Sequence, residues 1–105
     1  MIITNIDQVP GRTIIEECGL VQASTVRGKH IGKDIGAFFK GLVGGEIKGY
    51  SELLVEGREE AIERMTKNAE SLAADAVVNV RMTTSSITGG AVEIMAYGTA
   101  VKFEP

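Results

Sequence analysis

The chain has no tryptophan, one cysteine, one histidine and two prolines, and only 5% of its residues are aromatic. One cysteine, Cys18, excludes an intrachain disulfide, so nothing in the sequence calls for an oxidising compartment. One cysteine and one histidine, without a Cys-x-x-Cys or His-x-x-x-His spacing, exclude a self-contained zinc site of the usual four-ligand kind. A dense positive field is missing as well. The formal net charge is −3 and the pI about 5.1, which argues against nucleic acid as a partner. No apolar run approaches the ~20 residues that a membrane-spanning helix needs. The opening Met1-Ile2-Ile3-Thr4-Asn5-Ile6-Asp7 has no basic start and meets an acid early, unlike a signal peptide. A cytoplasmic protein without a membrane partner is expected.

What remains is a globular composition: 105 residues, 44% of them apolar and 24% charged. That length fits a single domain over 1–105. A sparse basic stretch, Arg27, Lys29, His30, Lys33 and Lys40, is opposed only by Asp34, while the acidic excess lies between Glu46 and Glu70. Such asymmetry steers small anions or complements a neighbouring subunit, although a solvated face is the plainer reading.

Pro10-Gly11 is a turn signal. Thr13 to Val26, rich in Ile, Val and Thr, reads as a strand, with Ile14, Cys18, Leu20 and Val26 on one parity and Ile15, Val21 and Ala23 on the other. Gly19 permits a bulge there. Over 31–43 the period changes, and Ile31, Ile35, Phe38, Phe39, Leu42 and Val43 form one side of a helix for which Asp34 is a candidate N-cap. A break is expected near Gly44-Gly45. A longer helix follows over Ser51–Ala73, with Leu54, Ala61, Met65 and Leu72 as its stripe, widened by Ile62, Ala69 and Ala73. Glu60–Arg64 and Glu63–Lys67 are favourably ordered i, i+4 pairs.

Ala76–Thr84 returns to period two, placing Val78, Val80 and Met82 on one face and Asn79, Arg81 and Thr83 on the other. Residues 85–90 read as a loop and Ala91–Phe103 as the second arm of an antiparallel hairpin. The order strand, helix, helix, strand, strand gives an α+β fold of two layers, an antiparallel sheet packed by helices. Such a sheet has two open edges, and its apolar content is generous for a monomer. Pairing the edges in a closed ring answers both, so a homo-oligomer is expected.

The chemistry-bearing residues are few. The metal candidates are Cys18 and His30. A straight strand puts roughly 26 Å between Cys18 and Val26 at ~3.3 Å per residue, so Cys18 of one subunit would meet His30 of another, with Glu16, Glu17 or Asp34 completing the shell. The plainer reading makes Cys18 a small buried apolar residue. Nothing ties His30 to Cys18, Ser24 or Ser51 as a nucleophile–base pair. Glu16-Glu17 and Glu59-Glu60 point apart and form no acid–base dyad. The glycines from Gly41 to Gly49 match neither a phosphate loop nor a dinucleotide fingerprint. Phe38-Phe39 lies on the apolar stripe, and the ring of Tyr97 has no obvious place.

Glu17-Cys18-Gly19-Leu20-Val21, Val43-Gly44-Gly45, Ala74-Asp75-Ala76-Val77-Val78 and Gly98-Thr99-Ala100-Val101 together resemble the YbjQ-like family, small proteins with a provisional heavy-metal-binding label. The resemblance covers essentially the whole chain. It implies a dodecin-subunit-like α+β fold assembled as a ring-shaped homopentamer, and no defined activity. Its metal label brings no ligand set that transfers by position, although Cys18 falls in the family's Cys-Gly strand. Ala23, Ala74 and Asn79 stand where the family often has glycine, which puts local backbone geometry in question.

The leading expectation is therefore a non-enzymatic homo-oligomeric binding protein, its ligand a divalent metal ion or a small molecule held between subunits. A small-molecule enzyme using His30, Arg27 or Arg81 at an interface pocket is the runner-up, and a ligand-free scaffold the third reading.

Overall fold

The computed structural model describes residues 1–28 and 45–105. Its elements are β1 (Ile2–Ile3), β2 (Ile14–Arg27), α1 (Gly45–Ser71), β3 (Ala76–Ser86), a 3-10 turn (Thr88–Gly90) and β4 (Val92–Phe103). The strands form one sheet in the order β1-β3-β4-β2. The expected antiparallel sheet is thus a mixed one: β3–β4 and β4–β2 are antiparallel, whereas β1 joins β3 in parallel. Two residues of strand are too short to leave a periodic signal, so only tertiary pairing reveals β1. The helix expected over 31–43, with Asp34 and Phe38-Phe39, lies outside the described residues.

α1 crosses one face of the sheet over β2 and β4. Its inward stripe is Tyr50, Leu54, Ala61, Met65 and Ala69, with Ile62 beside it, packed among Val21, Val77, Val80, Val92, Ile94, Ala96 and Ala100. Complete burial of a side chain such as Met65 or Ile94 is worth about 1.5–3 kcal/mol. The helix starts at Gly45 rather than Ser51, because packing of Tyr50 and Leu54 outweighs the low helix propensity of Gly49. At Gly57 the layers touch: a Cβ there would lie 2.5 Å from Ile94 Cδ1 and 3.0 Å from Arg27 Cγ. The Thr25 hydroxyl donates to Gly57 O at 3.0 Å across this gap.

The helix ends before Leu72, which is exposed rather than part of the stripe. Ala73 takes φ 58°, Ala73 N donates to Glu70 O at 2.9 Å and Ala74 N to Ala69 O at 3.2 Å. These bonds close a Schellman cap, whose left-handed residue is usually glycine.

Register shifts in β2 and β3 reverse the expected parities. Gly19, at φ 112°, sits at a register shift between Glu17 and Gly19, so Cys18 packs on the helix side with Val21 and Ala23. Leu20 and Val26, expected to share its face, are on the other. In β3 the register shifts between Val78 and Arg81 at Asn79, whose φ is 54°. Val80 consequently faces α1, while Val78 faces away with Ala76, Val101 and Phe103 in a second small core covered by Val9 and Ile14. Asn79 N donates to Ile6 O and Val80 N to Thr4 O, so the bulge also anchors the N-terminal segment.

Candidate functional site

Cys18 is half-buried at the β2 bulge and is the free cysteine of the chain. Its thiol lies 3.8 Å from Glu16 Oε2, and the same oxygen is 3.6 Å from Lys102 Nζ. Glu16 and Lys102 are cross-strand partners, whereas Glu17 is opposite Val101 on the other face, as the alternation of a strand requires. Burial pushes the thiol up from its ordinary value; the carboxylates of Glu16 and Asp75 act the same way, and Lys102 acts against them. Cys18 is thus held as a neutral thiol at pH 7, the opposite of an activated nucleophile.

A metal cation changes that balance. Carboxylates that disfavour a thiolate favour a cation, and a bound cation displaces the thiol proton. Cys18 Sγ and Glu16 supply one soft and one hard donor side by side. Among the described residues no group of three or more His, Cys, Asp or Glu side chains is placed to hold a metal ion. Asp75 is partly engaged, accepting from Phe103 N at 2.8 Å. His30, the other metal candidate, lies outside the described residues. β2 runs on past Val26 to Arg27, and the end of the path to His30 lies outside the described residues.

The arginines considered for catalysis have structural partners. Arg27 pairs with Glu60, and with Glu56 at 3.6 Å. Glu60 also binds Arg64, realising the expected i, i+4 pair, as does Lys67–Glu63 at 3.3 Å. Arg81 donates to Asn5 O at 2.8 Å and Val80 O at 3.0 Å. Sequence reasoning missed how α1 holds β2: Arg64 donates to Ser24 O and Asn68 to Gln22 O, each at 2.9 Å. These bonds occupy carbonyls of an edge strand that otherwise stand open. The Glu60–Arg64 spacing was a visible signal, but its reach to Arg27 is a tertiary fact.

The face of the sheet away from α1 is less covered. Cross-strand register puts Gln22, Tyr97 and Arg81 in one row and Ser24, Met95 and Thr83 in the next, which places Tyr97, half-buried, on that face. Leu20 and Val26 there are 66% and 50% exposed. No helix among the described residues is long and apolar enough to cross a membrane.

Comparison with known proteins gives a consistent kinship. Residues 1–104 match the YbjQ family profile, described as "Putative heavy-metal-binding". A UPF0145 protein of Hahella chejuensis is 54% identical over 104 residues, covering 99% of this chain and 100% of the relative. One from Thermotoga petrophila is 58% identical, covering 99% and 98%. Among solved structures, a protein of unknown function from Pediococcus pentosaceus, of the DUF74 family, superposes with a TM-score of 0.62 at 20% identity, covering 99% of this chain and 98% of that one. At that identity the likeness concerns the fold.

Proposed function

The chain belongs to the YbjQ-like family, and from that membership we propose that it is a non-enzymatic homo-oligomeric binding protein of the cytoplasm, closed as a ring of five dodecin-like subunits. Its ligand, a heavy-metal ion or a small molecule, is held where subunits meet. The observation that carries this reading is the outer edge of β3. Val80 turns its N–H outward to Thr4 O, and the strand's period of two then turns the backbone groups of Met82, Thr84 and Ser86 the same way. Among the described residues no strand pairs with that stretch, and Arg81–Ser86 are all exposed. A row of free backbone donors and acceptors is a template for another strand.

A contact that joins this edge to a different surface of the next copy is heterologous, and such contacts form a ring when the rotation between copies closes. Leu20, Val26, Met82 and Ile87, all exposed apolar side chains, supply surface to bury in it. The drawn-out shape points the same way: the Cα radius of gyration is 17.0 Å, against about 13 Å for a compact chain of ~100 residues.

For a metal ligand, Cys18 and Glu16 are the donors that fit, and soft thiolate chemistry suits heavy metals. Two donors are half a shell, so His30 or residues of a second copy complete it. Engagement of Arg27 and Arg81 in structural pairs favours binding over catalysis.

Native mass spectrometry of untagged protein purified without chelator tests the reading. The expected result is a pentamer carrying metal in fixed ratio to subunits, with the metal lost in Cys18→Ala and His30→Ala. A ring that takes up neither zinc nor cadmium overturns the metal ligand and leaves a small molecule or a bare scaffold. A monomer overturns the assembly.

A further inference from the structure

We propose that the cavity beside the first turn binds a small zwitterion of the α-amino-acid class. The cavity measures about 290 Å³ and is lined by Asp7, Gln8, Arg12, Thr13 and Ile14. It lies at the edge of the second core, on the face of the sheet away from α1, and so is separate from the Cys18–Glu16 donors.

Its frame is well anchored. Arg12 N donates to Val9 O at 3.0 Å and Gly11 has φ 80°, which with Pro10 before it makes a type II turn. Val9 and Ile14 pack against Ala76, Val78, Val101 and Phe103. Thr13 O accepts from Glu104 N at 2.7 Å. The Arg12 guanidinium carbon stands 4.3 Å over the centroid of the Phe103 ring. Stacking uses the flat face of the guanidinium and leaves its in-plane N–H fork available, and that fork matches a carboxylate.

Asp7 puts the opposite charge in the same cavity. Among the described residues neither Asp7 nor Arg12 has an ion-pair partner, and they do not pair with each other. Two opposite charges held apart in one cavity complement a molecule with a carboxylate at one end and an ammonium at the other. Gln8 and Thr13 add neutral polar groups, and Ile14 adds an apolar contact for a short side chain. The volume sits at the low end for ligand cavities, roughly 300–1,000 Å³, which suits a free amino acid and excludes a nucleotide.

The test is an NMR titration of the ¹⁵N-labelled full chain with L-alanine, acetate and ethylammonium in separate series. L-Alanine is expected to shift the amides of residues 7–14 saturably, at least ten-fold more tightly than either half-molecule. Arg12→Gln is expected to weaken L-alanine and acetate together. Asp7→Asn, which leaves the Arg12–Phe103 stack in place, is expected to weaken L-alanine ten-fold and spare acetate. No saturable shift, equal affinity for acetate and L-alanine, or unchanged L-alanine binding in a folded Asp7→Asn variant overturns the proposal. None of these readouts depends on ring assembly or on metal.

Discussion

The two ends of β3 are built to different rules. From Ala76 to Val80 it is paired on both edges, by β4 and by the N-terminal segment, and four of its five side chains are buried. From Arg81 to Ser86 it is paired, among the described residues, on one edge only, and no side chain is buried. α1 contributes to the difference, since Val77 and Val80 of the first end share one core cluster with Ala61, Met65 and Ala69, which Arg81–Ser86 do not join. The covered end holds the apolar burial that stabilises the chain, whereas the open end contributes little to the chain's own stability and is available for association. The stability of the subunit and its proposed assembly are therefore separable by mutation.

The largest expected effect is at the covered end. Val101 is 3% exposed and packs in the second core with Ala76, Val78 and Phe103. Val101→Asp buries an unpaired carboxylate, expected to cost about 3–5 kcal/mol, a large part of the roughly 5–15 kcal/mol that holds a small domain together. Chemical denaturation measures it. A soluble variant of unchanged mass and midpoint would show Val101 to be neither core nor interface.

Thr84→Pro makes the converse change at the open end. It removes an outward N–H that has no partner among the described residues, and edge strands tolerate proline in that position. The subunit is expected to stay folded, with loss within about 1 kcal/mol, while sedimentation shows the oligomer dissociated. Intact oligomers would mean that the ring closes elsewhere and that the contrast along β3 has another origin.

How far the sequence foretold this contrast depends on backbone regularity. The strand expected over Ala91–Phe103 is found as β4, whose helix-facing Val92, Ile94, Ala96 and Ala100 are buried in unbroken alternation. Period-two reasoning misplaced Val78 relative to Val80, because one extra residue at Asn79 reverses every side chain beyond it. It misplaced Cys18 for the same reason at Gly19, although a bulge there was expected. The stripe of Ala61, Met65 and Ala69 was legible from its 3.6-residue period. The candidate site was legible only as residue types: Cys18 was named, but its neighbours arrive from far along the chain, Lys102 from β4 and Asp75 from the connection between α1 and β3. The Asp7–Arg12 cavity depends on a loop lying against Phe103, which no local pattern encodes.

A smaller effect is expected at Cys18. Burial and the nearby carboxylates raise its pKa, so the folded state favours the protonated thiol. That preference is fully present at neutral pH and is lost as pH rises through the raised value. Iodoacetamide alkylation should therefore have its midpoint above that of a free cysteine. Glu16→Gln removes one of the charges opposing the thiolate and is expected to lower the midpoint. At a fixed pH near neutrality, alkylation should then run about two- to five-fold faster, the scale of exposed charge interactions. A rate unchanged by Glu16→Gln would place the carboxylate too far from the thiol to share a cation with it.

The smallest effects separate two left-handed residues, one at the end of α1 and one in the covered end of β3. Ala73, at φ 58°, occupies the helix cap with a Cβ that strains this conformation by about 1–2 kcal/mol. Ala73→Gly relieves the strain, but it also frees the unfolded chain at a cost of about 0.4–1 kcal/mol. The net gain is expected near 0.5–1 kcal/mol. Asn79, at φ 54°, is a residue type that enters this region readily, so Asn79→Gly is expected to change stability by a few tenths of a kcal/mol at most. Ala74 and Ala23 have negative φ, since the non-glycine residues with positive φ among those described are Ala73 and Asn79. Of the three positions where the family often carries glycine, then, only Asn79 has a backbone that asks for it. Thermal melts of the two glycine variants measured side by side decide the ranking, and a larger gain at Asn79 than at Ala73 would reverse it.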